Sequence, residues 1–196
     1  LNVRDMFGSF FESFHHALFQ VASIITTTGF ATVDFNYWPA FSKSLLVLLM
    51  FIGACAGSTG GGIKCSRVVL MAKSVKKEMQ YLIHPRVVRV HKMDGHRVQH
   101  EVMRSVNAFL IAYLLIFVVS VLLVSLTCED MVTNFTAVAT ALNNVGPGLE
   151  LVGPAANFSF LHPLSKIVLM FDMLAGRLEL FPMLLLFTPR TWFRKL

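Results

Sequence analysis

Apolar residues fall along this chain in long runs that polar inserts break at recurring places. MFGSFFESFHHALFQVASII, residues 6–25, has a helical pattern but carries Glu12, His15 and His16. That polarity suits a lipid-exposed span poorly and predicts a re-entrant helix sheltered by protein. ITTTGFATVDF, Ile25 to Phe35, then presents three threonines and a glycine. Asn36-Tyr37-Trp38-Pro39 reads as a membrane–water boundary followed by a helix start. Residues 40–52 are strongly apolar but short, and end in the glycine-rich GACAGSTGGGIK, Gly53 to Lys64. The helical pattern resumes at Ile63 and runs to about Tyr81. Residues 105–127 predict the best spanning helix, since about 20 apolar residues cross a core of roughly 30 Å. A short helix over about 131–143 leads to NNVGPG, Asn143 to Gly148. The last apolar segment, about 162–188, has Gly176-Arg177 in its middle, and TPRTWFRKL ends the chain as an aromatic and basic anchor.

Composition sharpens this picture. The 196 residues are 55% hydrophobic and only 14% charged, against about 25% charged in soluble domains. Of the 17 Lys and Arg, ten lie between Lys64 and Arg104, and Arg190, Arg194 and Lys195 close the chain. A basic run flanked by apolar spans marks a cytoplasmic loop more readily than a nucleic-acid patch, and an anionic inner leaflet attracts it. The turn signals Pro85 and Asp94-Gly95 fall within it. Three cysteines, Cys55, Cys65 and Cys128, form no disulfide framework. Because the chain opens at Leu1 on a polar stretch, a further N-terminal part is expected.

The two halves repeat. VASIITTTG (21–29) lies over VATALNNVG (138–146) at an offset of 117, and FSKSLLVLLMFIGA (41–54) lies over LSKIVLMFDMLAGR (164–177) at an offset of 123. Each copy is a short helix, a polar loop and an interrupted span. A re-entrant helix followed by a glycine-containing loop can turn backbone carbonyls toward a dehydrated ion. The negative end of the helix dipole favours a cation there. Thr26, Thr27, Thr28, Gly29 and Phe30, with Asn143, Asn144, Val145, Gly146 and Pro147, therefore read as two parts of a cation filter. A closed filter needs about four such loops. Two chains could pair, or an N-terminal half could carry two more; the start of this chain favours the latter.

ITTTGFAT, GACAGSTGGGIK, NNVGPG and DMLAGRLELFP resemble the TrkH-type potassium transporter subunits of the Trk/Ktr/HKT superfamily, along nearly the whole chain. The resemblance implies an all-α integral membrane fold, K+-channel-like, with membrane-helix/pore-loop/membrane-helix units around a central pore. This chain would hold the last two of four repeats: residues 1–81, a partial third repeat; 82–104, a basic cytoplasmic linker; and 105–196, the fourth. Gly29 and Gly146 would be filter glycines, and carbonyls at Thr27, Thr28, Asn144 and Val145 the K+ ligands. NNVGP departs from TTTGF, so the filter would be chemically asymmetric.

Gly53 and Gly176 each follow their repeat's lysine, Lys43 or Lys166, by ten residues. That is about 15 Å, half a bilayer core. Matched discontinuities at that depth point to the conduction path. A midplane arginine is costly and must face a cavity or a partner. Asp172 and Glu179 could neutralise Arg177 in a structural role. The functional reading puts Arg177 under the filter as a barrier to resting cations, with the loop of Gly53, Ala54, Gly57, Ser58, Thr59, Gly60, Gly61, Gly62 and Lys64 as a moving gate. The resemblance supports that reading, since an intramembrane loop and an arginine constrict such pores.

Other motifs carry less. AGSTGGGIK misses a phosphate loop because Ile63 stands where lysine is required. His96 and His100 are spaced to clasp a metal but read better as solvated loop residues, and His15 and His16 as packing or hydrogen-bonding residues and not proton relays. Asn134 and Asn157 head glycosylation patterns, discounted because the resemblance is bacterial. The basic segments lie inside, and the loops around 27–38 and 128–162 face out.

Potassium uptake across the bacterial inner membrane is the leading function, with K+ as cargo, no organic cofactor, no enzymatic activity and no nucleic acid. The resemblance implies a multi-pass homodimer in the lipid bilayer, over a cytosolic nucleotide-binding ring of the TrkA type. Within transport, a sodium-permeable or proton-coupled symport relative is the alternative. A membrane-embedded enzyme using the histidines or the glycine loop is the alternative from another class, and a non-conducting sensor with a degenerate pore is a third.

Overall fold

A computed structural model describes residues 2–3, 6–55, 57–58, 60–83, 92–93, 96–128, 130–178 and 180–186. Most of them are helical. Helix α1 (Phe10–Ile25) is followed by α2 (Ala40–Phe51), α3 (Cys65–Ile83), α4 (His100–Ser125), α5 (Met131–Leu142), α6 (Pro163–Arg177) and α7 (Leu180–Leu186). The fold is not purely helical. Strands β1 (Ile52–Gly53) and β2 (Ile63–Lys64) pair in parallel across the neck of the glycine-rich loop, so α3 begins two residues later than expected. Strands β3 (Lys92–Met93) and β4 (His96–Arg97) pair antiparallel. The Asp94-Gly95 signal between them, Pro85 and the anchor at 188–196 lie outside the described residues.

Local chemistry sets the helix ends. The Asp130 carboxylate accepts from the N–H groups of Val132 and Thr133, giving α5 a side-chain N-cap. Pro163 opens α6, where its missing N–H costs nothing, and His162 Nδ1 accepts from Leu164 N–H. Pro39 precedes α2. The single apolar segment expected over 162–188 divides, with α6 ending at Arg177 and α7 starting at Leu180.

Helix α5 is the centre of the molecule. It packs against α2, α4 and α6, and Thr133 through Leu142 are buried with Phe135 partly so. Phe51, Phe117 and Phe135 meet edge-on or tilted around it. Only α4, among the described residues, is long and apolar enough to cross a membrane; its 26 residues rise about 39 Å.

Polarity is distributed inversely to that of a water-facing bundle. Gln20, Ser120, Thr133, Thr140, Ser165 and Asp172 are buried, while Phe11, Phe14, Ile111, Leu115, Leu122 and Ile167 face outward. Within the described residues helix α1 is open on one side: Phe11 is 80% exposed. Its neighbours within the described residues, chiefly α2, cover one side only.

Candidate functional site

The two polar loops begin in the same way. After α1, the N–H groups of Thr26, Thr27 and Thr28 bond to the carbonyls of Ala22, Ile24 and Ser23 at 3.0, 3.1 and 2.9 Å. After α5, those of Asn143, Asn144 and Val145 bond to Ala139, Ala141 and Thr140 at 3.1, 3.1 and 3.0 Å. Both sets follow the 117-residue offset, and each closes its helix as a Schellman turn. The left-handed residue of that turn is Thr27 (φ 55°) in one loop and Asn144 (φ 53°) in the other. Two residues on, Gly29 (φ 79°) and Gly146 (φ 114°) also take positive φ.

These loops meet. A Cβ added to Gly29 would collide with the Val145 carbonyl oxygen, and one added to Gly146 would stand 3.7 Å from the Gly29 Cα. Thr27, Thr28, Asn144, Val145 and Gly146 line one cavity of about 580 Å³, with Thr140 behind them and Lys166, Met170 and Met173 of α6 on its wall. The other expected residues sit around it. Thr26 turns its hydroxyl to the Ala22 carbonyl at 2.7 Å and contacts the Thr28 hydroxyl. Phe30 projects outward, with its carbonyl accepting from Ser23 Oγ at 2.6 Å. Pro147 lies against Gly29. Asn143 is fully buried; it donates to the Ala139 carbonyl at 2.7 Å and accepts from the Tyr113 hydroxyl at 2.8 Å.

The glycine-rich loop docks on the bases of both polar loops. Ala54 N–H donates to the Ile25 carbonyl at 3.3 Å, and Gly61 N–H donates to Thr27 Oγ1 at 3.4 Å. A Cβ at Gly61 would strike the Asn143 carbonyl, one at Gly53 the Gly61 carbonyl, and one at Gly176 the Leu142 carbonyl. Bare backbone is what permits these approaches. A Cβ added to Gly57 (φ 82°) would meet none of the described residues within 4 Å. Ser58, Gly60, Gly62, Lys64 and Arg177 line a second cavity, of about 400 Å³, together with Arg67, Phe109, Tyr113 and Gly176. Thr59 lies outside the described residues.

Arg177 ends α6, is exposed, and has no ion-pair partner among the described residues. Asp172 does not neutralise it there. Its carboxylate is buried and accepts from Ser120 Oγ of α4 at 2.7 Å, because residues 172 and 177 point to different sides of α6. Glu179, the other expected partner, lies outside the described residues. His16 Nδ1 is 3.0 Å from Thr32 Oγ1, within hydrogen-bond reach, and its ring packs on Phe7.

Several residues of the site escaped the sequence reading. Tyr113 carries a hydroxyl within an apolar span, and that isolated polarity was its only signal. Thr140 accepts from Gly146 N–H at 2.7 Å, and its counterpart Ser23 holds Phe30. Asn36 and Glu150 join the two outer loops, and no local pattern announces a contact across 114 residues.

The arrangement has recognisable relatives. A family model described as "TrkH: Cation transport protein" matches residues 8–194. The Trk system potassium uptake protein TrkH of Escherichia coli K12 is 41% identical over 189 residues, covering 96% of this chain and 39% of that protein. Trk system potassium uptake protein TrkG of the same organism is 36% identical over 192 residues, covering 98% of this chain and 38% of its own length. The crystal structure of the potassium transporter TrkH from Vibrio parahaemolyticus superposes with a TM-score of 0.87 at 43% identity, over 96% of this chain and 40% of that one. The chain thus spans about two fifths of the length of the relatives it matches.

Proposed function

This chain belongs to the TrkH family of cation transport proteins, and from that premise we propose that it supplies two of the loops of a potassium-selective filter and the gate beneath them. The family consists of bacterial membrane transporters, not enzymes. One observation carries the reading. Two loops of unlike sequence, TTTGF and NNVGP, take matched backbone turns and meet at Gly29 and Val145 on a common cavity. Matched turns from two repeats are what a ring of carbonyls around one ion requires.

In this reading residues 1–81 and 105–196 are pore repeats and 82–104 a basic cytoplasmic linker. Two further loops, from elsewhere in the protein, complete the ring. Carbonyls of Thr27, Thr28, Asn144 and Val145 replace water around K+. The glycine-rich loop, seated on Thr27 and Asn143, blocks the exit, and Arg177 repels cations in the cavity below. Opening requires the loop to leave its seat. The protein works as a homodimer in the inner membrane, with a cytosolic nucleotide-binding ring of the TrkA type docking on the basic face.

The test is K+ and Na+ flux through the protein, as encoded by its gene, in liposomes. Arg177→Ala should raise K+ flux at least severalfold, and Gly29→Ala, which forces a side chain against Val145, should lower it at least tenfold. Unaltered flux in both variants at normal yield overturns the assignment.

A further inference from the structure

Above the meeting point of the two loops, one side chain grips the backbone of the other repeat. Asn36 Nδ2 donates to the Glu150 carbonyl at 3.1 Å, and Glu150 N–H donates to Asn36 Oδ1 at 2.9 Å. Both faces of the amide are used on a single residue. The fit is close on the far side too, since a Cβ at Gly153 would collide with Asn36 Nδ2. Glu150 is held with φ at 54°, a conformation that L residues rarely adopt, and Lys43 Nζ stands 3.6 Å from its carboxylate.

Each end of this contact belongs to a stiff unit. In the first repeat Asp34 Oδ1 accepts from Asn36 N–H at 2.9 Å, and Gln20 Nε2 of α1 holds the Val33 carbonyl at 3.2 Å. In the second, Thr136 Oγ1 of α5 accepts from Leu149 N–H at 3.1 Å, next to Glu150. The Asn36 amide therefore ties the α1 loop to the α5 loop. The matching turn of the second repeat has Asn157 capping Ser159 N–H at 3.0 Å, so Ser159 stands where Asn36 does. A serine is too short for the same grip, and Lys166 folds back on the Ser159 carbonyl at 2.8 Å instead of reaching outward.

We propose that Asn36 is a positioning residue for ion selectivity: its amide, clamped on the Glu150 backbone, sets the spacing of the Gly29 and Gly146 loops. This rests on the filter reading above. An oxygen cage distinguishes cations by its size and by the number of its ligands, and two loops carried by separate helices keep one spacing only if something joins them. The joint acts through the backbone of Glu150; the Lys43–Glu150 ion pair is incidental to it.

The experiment compares K+ and Na+ flux in liposomes for the wild-type protein, Asn36→Ala, Asn36→Asp and Lys43→Met. Asn36→Asp keeps the shape and the acceptor but sets a carboxylate oxygen against the Glu150 carbonyl. Both Asn36 variants should lower the K+-to-Na+ flux ratio about three- to tenfold, with total flux retained. Lys43→Met, which removes only the ion pair, should hold the ratio within about twofold. An unchanged ratio in Asn36→Asp overturns the proposal, as does an equal fall in Lys43→Met. Should Asn36→Ala fail to fold, the Asn36→Asp result alone decides. A wild-type protein that conducts neither ion, or a Gly29→Ala variant that conducts normally, would defeat the filter reading itself; selective wild-type flux with an indifferent Asn36 would defeat only the clamp.

Discussion

Thr27 occupies a backbone conformation that a β-branched side chain resists. At φ 55° its Cβ crowds the preceding carbonyl, at a cost of roughly 1–2 kcal/mol. The equivalent residue in the second loop is Asn144, a type that tolerates this region better. A strained residue persists where its surroundings over-determine it, and here the Thr27 hydroxyl accepts Gly61 N–H from the loop below. Thr27 thus both ends α1 and holds the glycine loop. Thr27→Asn should accordingly stabilise the folded state by up to about 1 kcal/mol, seen as a higher Tm in detergent, while raising K+ flux because the glycine loop loses its seat. A lower Tm would mean that the 3.4 Å contact outweighs the strain. The same residue shows what sequence could and could not reveal. Gly29 and Gly146 stood out by type and spacing, but nothing in TTTGF says that the second threonine is the left-handed one, because that follows from where α1 ends.

At the scale of elements, the short helices, the long α4 and the two interruptions were legible because apolar periodicity and glycine clusters are local signals. The ends of α2 and α6 were less so. The break after α2 is a parallel strand pair, β1 with β2, that exists only because Ile63 and Lys64 return beside Ile52 and Gly53. The Tyr113–Asn143 bond and the burial of Asp172 against Ser120 depend on how α4 lies across α5 and α6, which periodicity does not encode. One helix cap is testable. Asp130 precedes α5, the most buried helix, and bonds from the Thr133 hydroxyl, then from the Thr133 and Val132 N–H groups, hold its carboxyl below the ordinary value. A depressed folded pKa means the cap's contribution is complete above the unfolded pKa, near 3.9, and is lost as pH falls through the folded value. Asp130→Ala should therefore cost about 1 kcal/mol at neutral pH. The difference from wild type, measured by thermal unfolding, should narrow below about pH 4. A gap that persists undiminished at pH 3 would assign the loss to packing.

For the whole molecule, the two repeats are joined at three levels: Asn36 on Glu150 outside, Gly29 on Val145 between the loops, and the glycine loop on Thr27 and Asn143 beneath. Repeat symmetry was visible in the sequence, but these joints are where the repeats differ from each other, so symmetry alone could not supply them. The lowest joint is also where two candidate barriers share one cavity, since Gly60, Gly62 and Arg177 all line it. Barriers that act on one passage do not combine independently. Removing either leaves the other in the path, and neighbouring groups with shared contacts couple by about 0.5–3 kcal/mol. Deletion of residues 57–60 leaves a five-residue link between β1 and β2. That deletion and Arg177→Ala should each raise K+ flux in liposomes, the deletion more, because it removes Ser58 and Gly60 from the lining of that cavity and leaves only Gly61 seated on Thr27 and Asn143. The double variant should exceed the product of the two single effects if each remaining barrier masks the loss of the other. A product relation would place Arg177 and the loop on independent steps, and a double variant no faster than the deletion alone would leave the arginine with no barrier role once the loop is gone.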